Sequence, residues 1–227
     1  MDVVFADPNT VLGRDRMQEF LAANRPGALR RFGILVATDP TWSDAVIGGA
    51  VFSYVVRSNC GFSEYIVVDR ALRGRGIGRL LFDARRDVLD RAAQRHGHAA
   101  CHGLFIEVDS PDRTPADLLA AERETALDAS ERLLMFDHLG FRRVAVPYVQ
   151  PPLAADKHDI DYLDLLFAPW QAETRATEQI PTSWILDTLD AIWSAWAPES
   201  AAAHLDRLTK VIPADRVALT ALSAETC

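Results

Sequence analysis

The sequence predicts an α/β fold built on one mixed sheet, and three observations carry that prediction. Three β-rich runs follow one another with turn residues between them. An amphipathic helical stretch then opens at Gly76, and a short apolar strand follows it. A meander followed by strand, helix and strand describes a sheet that is antiparallel at one end and contains a parallel pair.

Residues 14–24 place Met17, Phe20 and Leu21 at helical spacing, and Arg25-Pro26-Gly27 stops the helix. The runs 31–38 and 46–56 read as strands joined by a turn containing Asp39-Pro40 and Ser43-Asp44. Gly48-Gly49 inside the second run marks a bulge or a close backbone approach. Asn59-Cys60-Gly61 turns the chain into a third run, 62–68. From Gly76 the period changes. Ile77, Leu81, Ala84 and Val88 recur every three or four residues, with Arg79, Asp83, Arg86 and Asp90 on the remaining surface. That helix ends near His96-Gly97, and residues 104–108 form a short apolar strand. The crossover between the two strands is right-handed, which makes them parallel. Residues 118–139 read as helical, and 141–149 and 160–167 as strands.

After Pro169 the character shifts. Residues 182–196 carry Trp184, Ile185, Leu189, Ile192, Trp193 and Trp196 at helical spacing, and 200–212 read as a second helix. The chain therefore divides into a main domain, residues 1–170, and a helical C-terminal extension, residues 171–227. Packing of the aromatic helix on the sheet is the first expectation, with a homodimer seam as the alternative.

With 227 residues, 49% of them hydrophobic, the chain is long enough to bury a sizeable core. Its formal net charge of -8 argues against nucleic acid as a partner and suits a small cationic substrate. The N-terminus lacks a basic stretch followed by an apolar one, and no apolar run approaches the ~20 residues that cross a bilayer. No membrane association is expected. Cys60, Cys101 and Cys227 are too few and too scattered for a disulfide framework, so the expectation is a cytoplasmic protein with reduced thiols.

The loop Arg73-Gly74-Arg75-Gly76-Ile77-Gly78 leaves a strand and opens a helix. The first N–H groups of a helix have no partner within it, and with the positive end of the helix dipole they form an anion site. Gly76 and Gly78 lack a Cβ, so a diphosphate can approach the backbone. Arg73, Arg75 and Arg79 add guanidinium groups suited to phosphate oxygens. Neither G-x-x-x-x-G-K-[ST] nor G-x-G-x-x-G occurs in this loop.

Arg73, Gly76 and Gly78 match [RQ]-x-x-G-x-[GA], and here the chain resembles the GNAT superfamily of acyl-CoA-dependent N-acyltransferases. Val46-Ile47-Gly48-Gly49-Ala50 looks like that family's third strand, Ile106-Glu107-Val108 like its fifth, and His138-Leu139-Gly140-Phe141 like its Leu-Gly-Phe helix end. The resemblance covers roughly residues 30–167. It implies a mostly antiparallel mixed sheet with splayed parallel central strands flanked by helices. It also implies acetyl-CoA as co-substrate. Residues 73–78 and Arg79 would then hold the pyrophosphate, while Ile66, Val67 and Val68 offer backbone groups to the pantetheine arm.

Acetyl transfer to an amine needs a base, a polarised thioester carbonyl and a proton for the leaving thiolate. Glu64 matches the glutamate of an E-D-hydrophobic-x-V pattern in polyamine and related acetyltransferases. Glu107 looks like the L-E-V glutamate of ribosomal-protein N-terminal acetyltransferases. Strand alternation puts Glu64 on the face of Ile66 and Val68. The family's usual general-acid tyrosine falls at Phe136, which has no proton to give. Tyr148 is the candidate replacement, or else a tyrosine closing the core. The region before Phe136 carries an acidic insertion with Asp117, Glu122, Glu124 and Asp128. His96, His98, Cys101 and His102 are close in sequence but lack a second ligand pair at zinc-site spacing, so they read as a partly exposed loop and no metal is expected.

The expectation is direct transfer of acetyl from acetyl-CoA to a primary amine of a small cationic molecule. A protein lysine or N-terminal amine is the alternative acceptor. A CoA-binding regulatory module without turnover is the alternative function.

Overall fold

The computed structural model describes residues 7–222, apart from 26, 43, 126 and 155. Pro26, Ser43 and Cys227, named above, lie outside the described residues. Helix α1 (Arg14–Ala22) precedes an antiparallel meander of β1 (Arg30–Asp39), β2 (Ala45–Val55) and β3 (Cys60–Val68). A turn then leads into α2 (Ile77–Arg95) and β4 (Gly103–Asp109). The predicted helix over 118–139 is two helices, α3 (Ala116–Thr125) and α4 (Ala129–His138). Asp128 divides them by capping α4, its side chain accepting from the Ser130 N–H at 2.9 Å.

The predicted strand over 141–149 shortens to β5 (Arg142–Val144), because Val146 N–H turns back to the Val144 carbonyl and Pro147 has no N–H to offer. Strand β6 (Leu163–Pro169) follows a long loop that is pinned by a bridge between Gln150 and Ile160. Beyond residue 170 come α5 (Ala172–Thr177), β7 (Gln179–Pro181), α6 (Thr182–Trp196), α7 (Ala201–Val211) and β8 (Arg216–Thr220). The extension therefore contributes strands as well as helices. Val217 and Leu219 are buried while Arg216, Ala218 and Thr220 are exposed, so β8 alternates and adds to the open edge of β5.

Among the described residues eight strands form one sheet, in the order β1-β2-β3-β4-β6-β5-β8-β7. β3 and β4 are parallel, but only Gly61↔Leu104, Phe62↔Phe105 and Ser63↔Ile106 are in register. Past Ser63 and Ile106 the two strands part. β3 stays bonded to β2 as far as Val68, and β4 stays bonded to β6 as far as Asp109. This is the splayed parallel pair that the sequence resemblance implies.

One face of the sheet is covered by α2 and α4. The buried stripe of α2 is Leu81, Phe82, Arg85, Leu89, Ala92 and Ala93, rotated by one position from the predicted Ala84 and Val88. The other face packs against α1 and α6. Trp196 meets Phe62 edge-on at 5.3 Å, and Ile185, Leu189, Ile192 and Trp193 join the same core. The aromatic helix thus packs on the sheet. No described helix is long and apolar enough to cross a membrane.

Candidate active site

Gly76 stands at the start of α2 with φ of 79°, and Gly74 has φ of 76°, both in the left-handed region that favours glycine. A Cβ at either would meet nothing within 4 Å, so the space in front of this turn is open. Gly76 has no side chain with which to cap α2, so the N–H groups of Ile77, Gly78 and Arg79 have no side-chain cap. The helix start packs close on the sheet at Gly48, where an added Cβ would lie 3.4 Å from Ile77 Cγ2 and 3.3 Å from Leu81 Cδ1, as well as 2.9 Å from the Val67 carbonyl oxygen of β3. Ile47 beside it is the extra residue of a bulge between β1 and β2. Both readings of the Gly48-Gly49 pair are therefore realised.

The three arginines differ. Arg73 Nε donates to the Val68 carbonyl at 3.4 Å, bracing the loop against the end of β3. Arg79 turns along the helix to pair with Asp83 at 2.9 Å. Arg75 is exposed and lies near enough to Asp39 to hold that carboxyl below its usual range, after the larger effect of the Thr41 hydrogen bonds. Ile66, Val67 and Val68 pair with Ala50, Gly49 and Gly48 on one side, and their other edge faces the gap.

Glu64 and Glu107 each follow the last parallel pair, Ser63↔Ile106, by one residue. They stand at the closed end of the gap. Glu64 is the extra residue of a second bulge, since Val51 pairs with Tyr65 and Phe52 with Ser63. The bulge corrects the expected alternation. Ile66 packs into the core beneath α2, whereas Glu64 turns to the opposite face. There it accepts from Ser53 Oγ at 2.6 Å, and Arg30 lies 3.9 Å away. Burial raises the Glu64 carboxyl to about 7, against the pull of Arg30 and the Ser53 hydrogen bond.

Glu107 faces the same side as Phe105 and accepts a hydrogen bond from Tyr148 Oη. Burial raises Glu107 to about 8; the Tyr148 hydrogen bond opposes this, and the Glu64 charge adds to it. Tyr148 is buried, with its ring 5.9 Å from Trp193, and burial followed by the Glu107 charge pushes its hydroxyl well above the ordinary tyrosine value. The three candidate catalytic residues thus meet on one face.

The profile of the acetyltransferase (GNAT) family matches residues 6–121, which span the loop, the gap and both glutamates. The chain belongs to the GNAT acetyltransferase family. It is an acyl-CoA-dependent acetyltransferase by that membership. Solved structures similar to it include a GNAT-family protein from Bacteroides thetaiotaomicron, at 18% identity over 75% of this chain and 77% of that one, with a TM-score of 0.43. An IAA acetyltransferase from Bacillus cereus is similar at 13% identity over 69% and 85%, with a TM-score of 0.42. The ribosomal-protein-S18-alanine N-acetyltransferase from Escherichia coli is similar at 17% identity over 67% and 76%, with a TM-score of 0.37. No curated protein matches significantly.

The family's tyrosine position, Phe136, lies in an aromatic cluster 5.1 Å from Phe141, which in turn lies 5.9 Å from Phe82. The acidic insertion is partly engaged internally: Glu122 and Asp109 bind Arg132, and Asp128 binds Arg123. The histidine cluster has other partners. His102 stacks on Trp184 at 4.0 Å, and Cys101 Sγ lies 3.3 Å from the Asn59 and Gly103 carbonyls. Among the described residues no group of three or more His, Cys, Asp or Glu is placed to hold a metal ion.

Two features escape the sequence. Tyr65 Oη donates to the Thr10 carbonyl at 2.9 Å and accepts from Leu12 N–H at 2.7 Å, so the segment before α1 crosses the glutamate face. Lys157 fastens it from the β5–β6 loop through the Pro8 and Val11 carbonyls. Contacts over such long separations leave no local pattern. Arg85 is the second, and it had a readable signal. It falls three residues after Phe82 and four before Leu89, on the buried stripe of α2.

Proposed function

We propose that this GNAT enzyme transfers the acetyl group of acetyl-CoA directly to a primary amine of a small cationic molecule. The observation that carries this is the placing of Glu64 and Glu107 at the closed end of the gap, on the face opposite the glycine loop. Donor and acceptor then approach from opposite sides of the sheet. Acetyl-CoA supplies the activated acyl thioester. The N–H groups of Ile77, Gly78 and Arg79, with Gly74, Gly76, Arg73 and Arg75, hold its diphosphate, and the free edge of Ile66–Val68 holds its amide arm.

An alkylamine is protonated near neutrality and must lose a proton to attack. Glu107 takes that proton. It carries the hydrogen bond from Tyr148, whereas the Glu64 side chain is enclosed and paired with Arg30. Glu64 acts through its charge, which keeps the Glu107 carboxyl basic. Tyr148 retains its proton beside Glu107 and takes the role that Phe136 lacks, giving a proton to the departing thiolate. The strap of residues 7–13 and the β5–β6 loop over the glutamate face favour a small acceptor over a protein chain, and net charge -8 favours a cation. Cys60 and Cys101 as buried free thiols fit a cytoplasmic setting.

Thiol release from acetyl-CoA tests this with polyamines, aminoglycosides, and peptides offering a lysine or a free N-terminus. Turnover confined to small polyamines or aminoglycosides is expected. Turnover on peptides alone would overturn the acceptor class, and binding of acetyl-CoA without thiol release on any amine would mark a silent module.

A further inference from the structure

Arg85 is fully buried, with 0% of its surface exposed. Its Nη1 donates to Ser63 Oγ at 2.5 Å, while Nε and Nη2 have no hydrogen-bond partner among the described residues. No ion pair within 4 Å forms on it among those residues. The carboxylate that acts on it, Glu64, is engaged by Ser53 on the other face of the sheet. Phe82 contributes only a ring, 5.6 Å from Cζ. A cation enclosed with one neutral partner and two idle donors is costly, and an arriving anion removes the cost. Burial lowers the guanidinium to about 10, which leaves it charged at neutral pH.

Its position says where such an anion comes from. Ser63 is the last residue of β3 that pairs with β4, so the guanidinium sits at the closed end of the gap, on the α2 face. From Val68, beside the glycine loop, back to Ser63 is five residues of strand, ~17 Å at the usual rise. A CoA thioester anchored by its diphosphate at the loop and lying along this edge points its acyl end at Ser63 and Arg85.

We propose that Arg85 recognises a carboxylate at the far end of the acyl group, and that the enzyme takes donors of the malonyl or succinyl class besides acetyl-CoA. This rests on the reading above that the donor lies in the gap. The reaction keeps the same balance. The amine nitrogen bonds to the thioester carbonyl carbon, the C–S bond breaks, the thiolate takes up a proton, and the distal carboxylate is unchanged. An acetyl donor leaves Nε and Nη2 without a partner; a carboxylate accepts from both in the forked geometry of a guanidinium.

Isothermal titration of the full chain with succinyl-CoA and butyryl-CoA, equal in chain length, reads the proposal without turnover. Wild type is expected to bind succinyl-CoA roughly tenfold tighter, as a charged hydrogen-bond pair would give. Arg85→Met should bind the two equally, and Arg85→Lys should keep part of the preference. Equal affinities in wild type, or a preference that survives in Arg85→Met, overturn the proposal. Should Arg85→Met fail to fold, the wild-type pair and Arg85→Lys decide: a preference as strong in Arg85→Lys as in wild type also overturns it, since a lysine cannot make the forked contact. Thiol release separates this from the broader reading. A succinyl preference in binding with no thiol freed from any thioester would sink the transferase and leave the site standing. Acetyl-CoA turnover without a succinyl preference would do the reverse.

Discussion

Tyr148 donates its phenolic hydrogen to the Glu107 carboxylate, joining the loop after β5 to the strand that forms one wall of the gap. The bond favours the ionised form of Glu107, so its loss should raise that carboxyl further above about 8. Tyr148→Phe is therefore expected to move the rising limb of the kcat/KM profile to higher pH. Loss of the proposed proton donor should also lower kcat by roughly a hundredfold. Steady-state thiol release between pH 6 and 10 checks both. A profile that keeps its midpoint would separate Tyr148 from Glu107 in function.

The same pair of glutamates makes stability depend on pH. Folded Glu64 and Glu107 hold their protons to about 7 and about 8, whereas unfolded glutamates release them near 4.5. Between those limits the unfolded chain binds fewer protons, so stability falls as pH rises. It is fully present below about 4.5 and lost by about 8. The double variant Glu64→Gln, Glu107→Gln should lose this slope, by a few kcal/mol in order of magnitude. Urea unfolding at pH 5 and pH 8 measures it, since any constant cost of leaving Arg30 without a countercharge cancels. Parallel pH dependence in variant and wild type would mean that the carboxylates titrate normally.

Much of this was legible because the deciding signals are local. Residues 73–78 announce a turn that needs glycine and a helix start without a cap. The apolar spacing of 182–196 announces α6. Glu64 and Glu107 stand out as carboxylates in apolar strands. The face that Glu64 takes could not be read, because one extra residue in a bulge reverses every later side chain and strand alternation has no signal for it. The seven residues that cross Tyr65, and the three- and five-residue strands β7 and β8, depend on partners far away in sequence.

Two glycines of the loop should separate fold from binding. Gly76→Ala forces an alanine to φ of 79° with nothing nearby to clash, so its cost is backbone strain of about 1 kcal/mol. Gly78 has no such constraint, and a Cβ there would lie 3.9 Å from Val68 Cγ2, an ordinary contact. Gly78→Ala should stabilise α2 by up to about 1 kcal/mol. Both methyls crowd the approach to the N–H groups, so both variants should bind CoA more weakly. Thermal unfolding with CoA titration checks the contrast. Unaltered CoA affinity in both would remove the diphosphate from this loop.

Phe136→Tyr tests whether the proton donor has moved. Phe136 is 2% exposed and packed against Phe141, so a hydroxyl added there enters an aromatic cluster. A buried hydroxyl without a partner costs about 1–3 kcal/mol, and the variant should unfold at lower temperature. Its kcat should not rise, because Tyr148 already keeps a proton beside Glu107 on the other face. A gain of roughly tenfold or more, the size of a modest acid–base contribution, would place position 136 next to the departing sulfur and take the donor role from Tyr148. Combining Phe136→Tyr with Tyr148→Phe sharpens the outcome: recovery of the activity lost by Tyr148→Phe would show one role transferable between two positions, and no recovery would tie it to Tyr148 and its contact with Glu107.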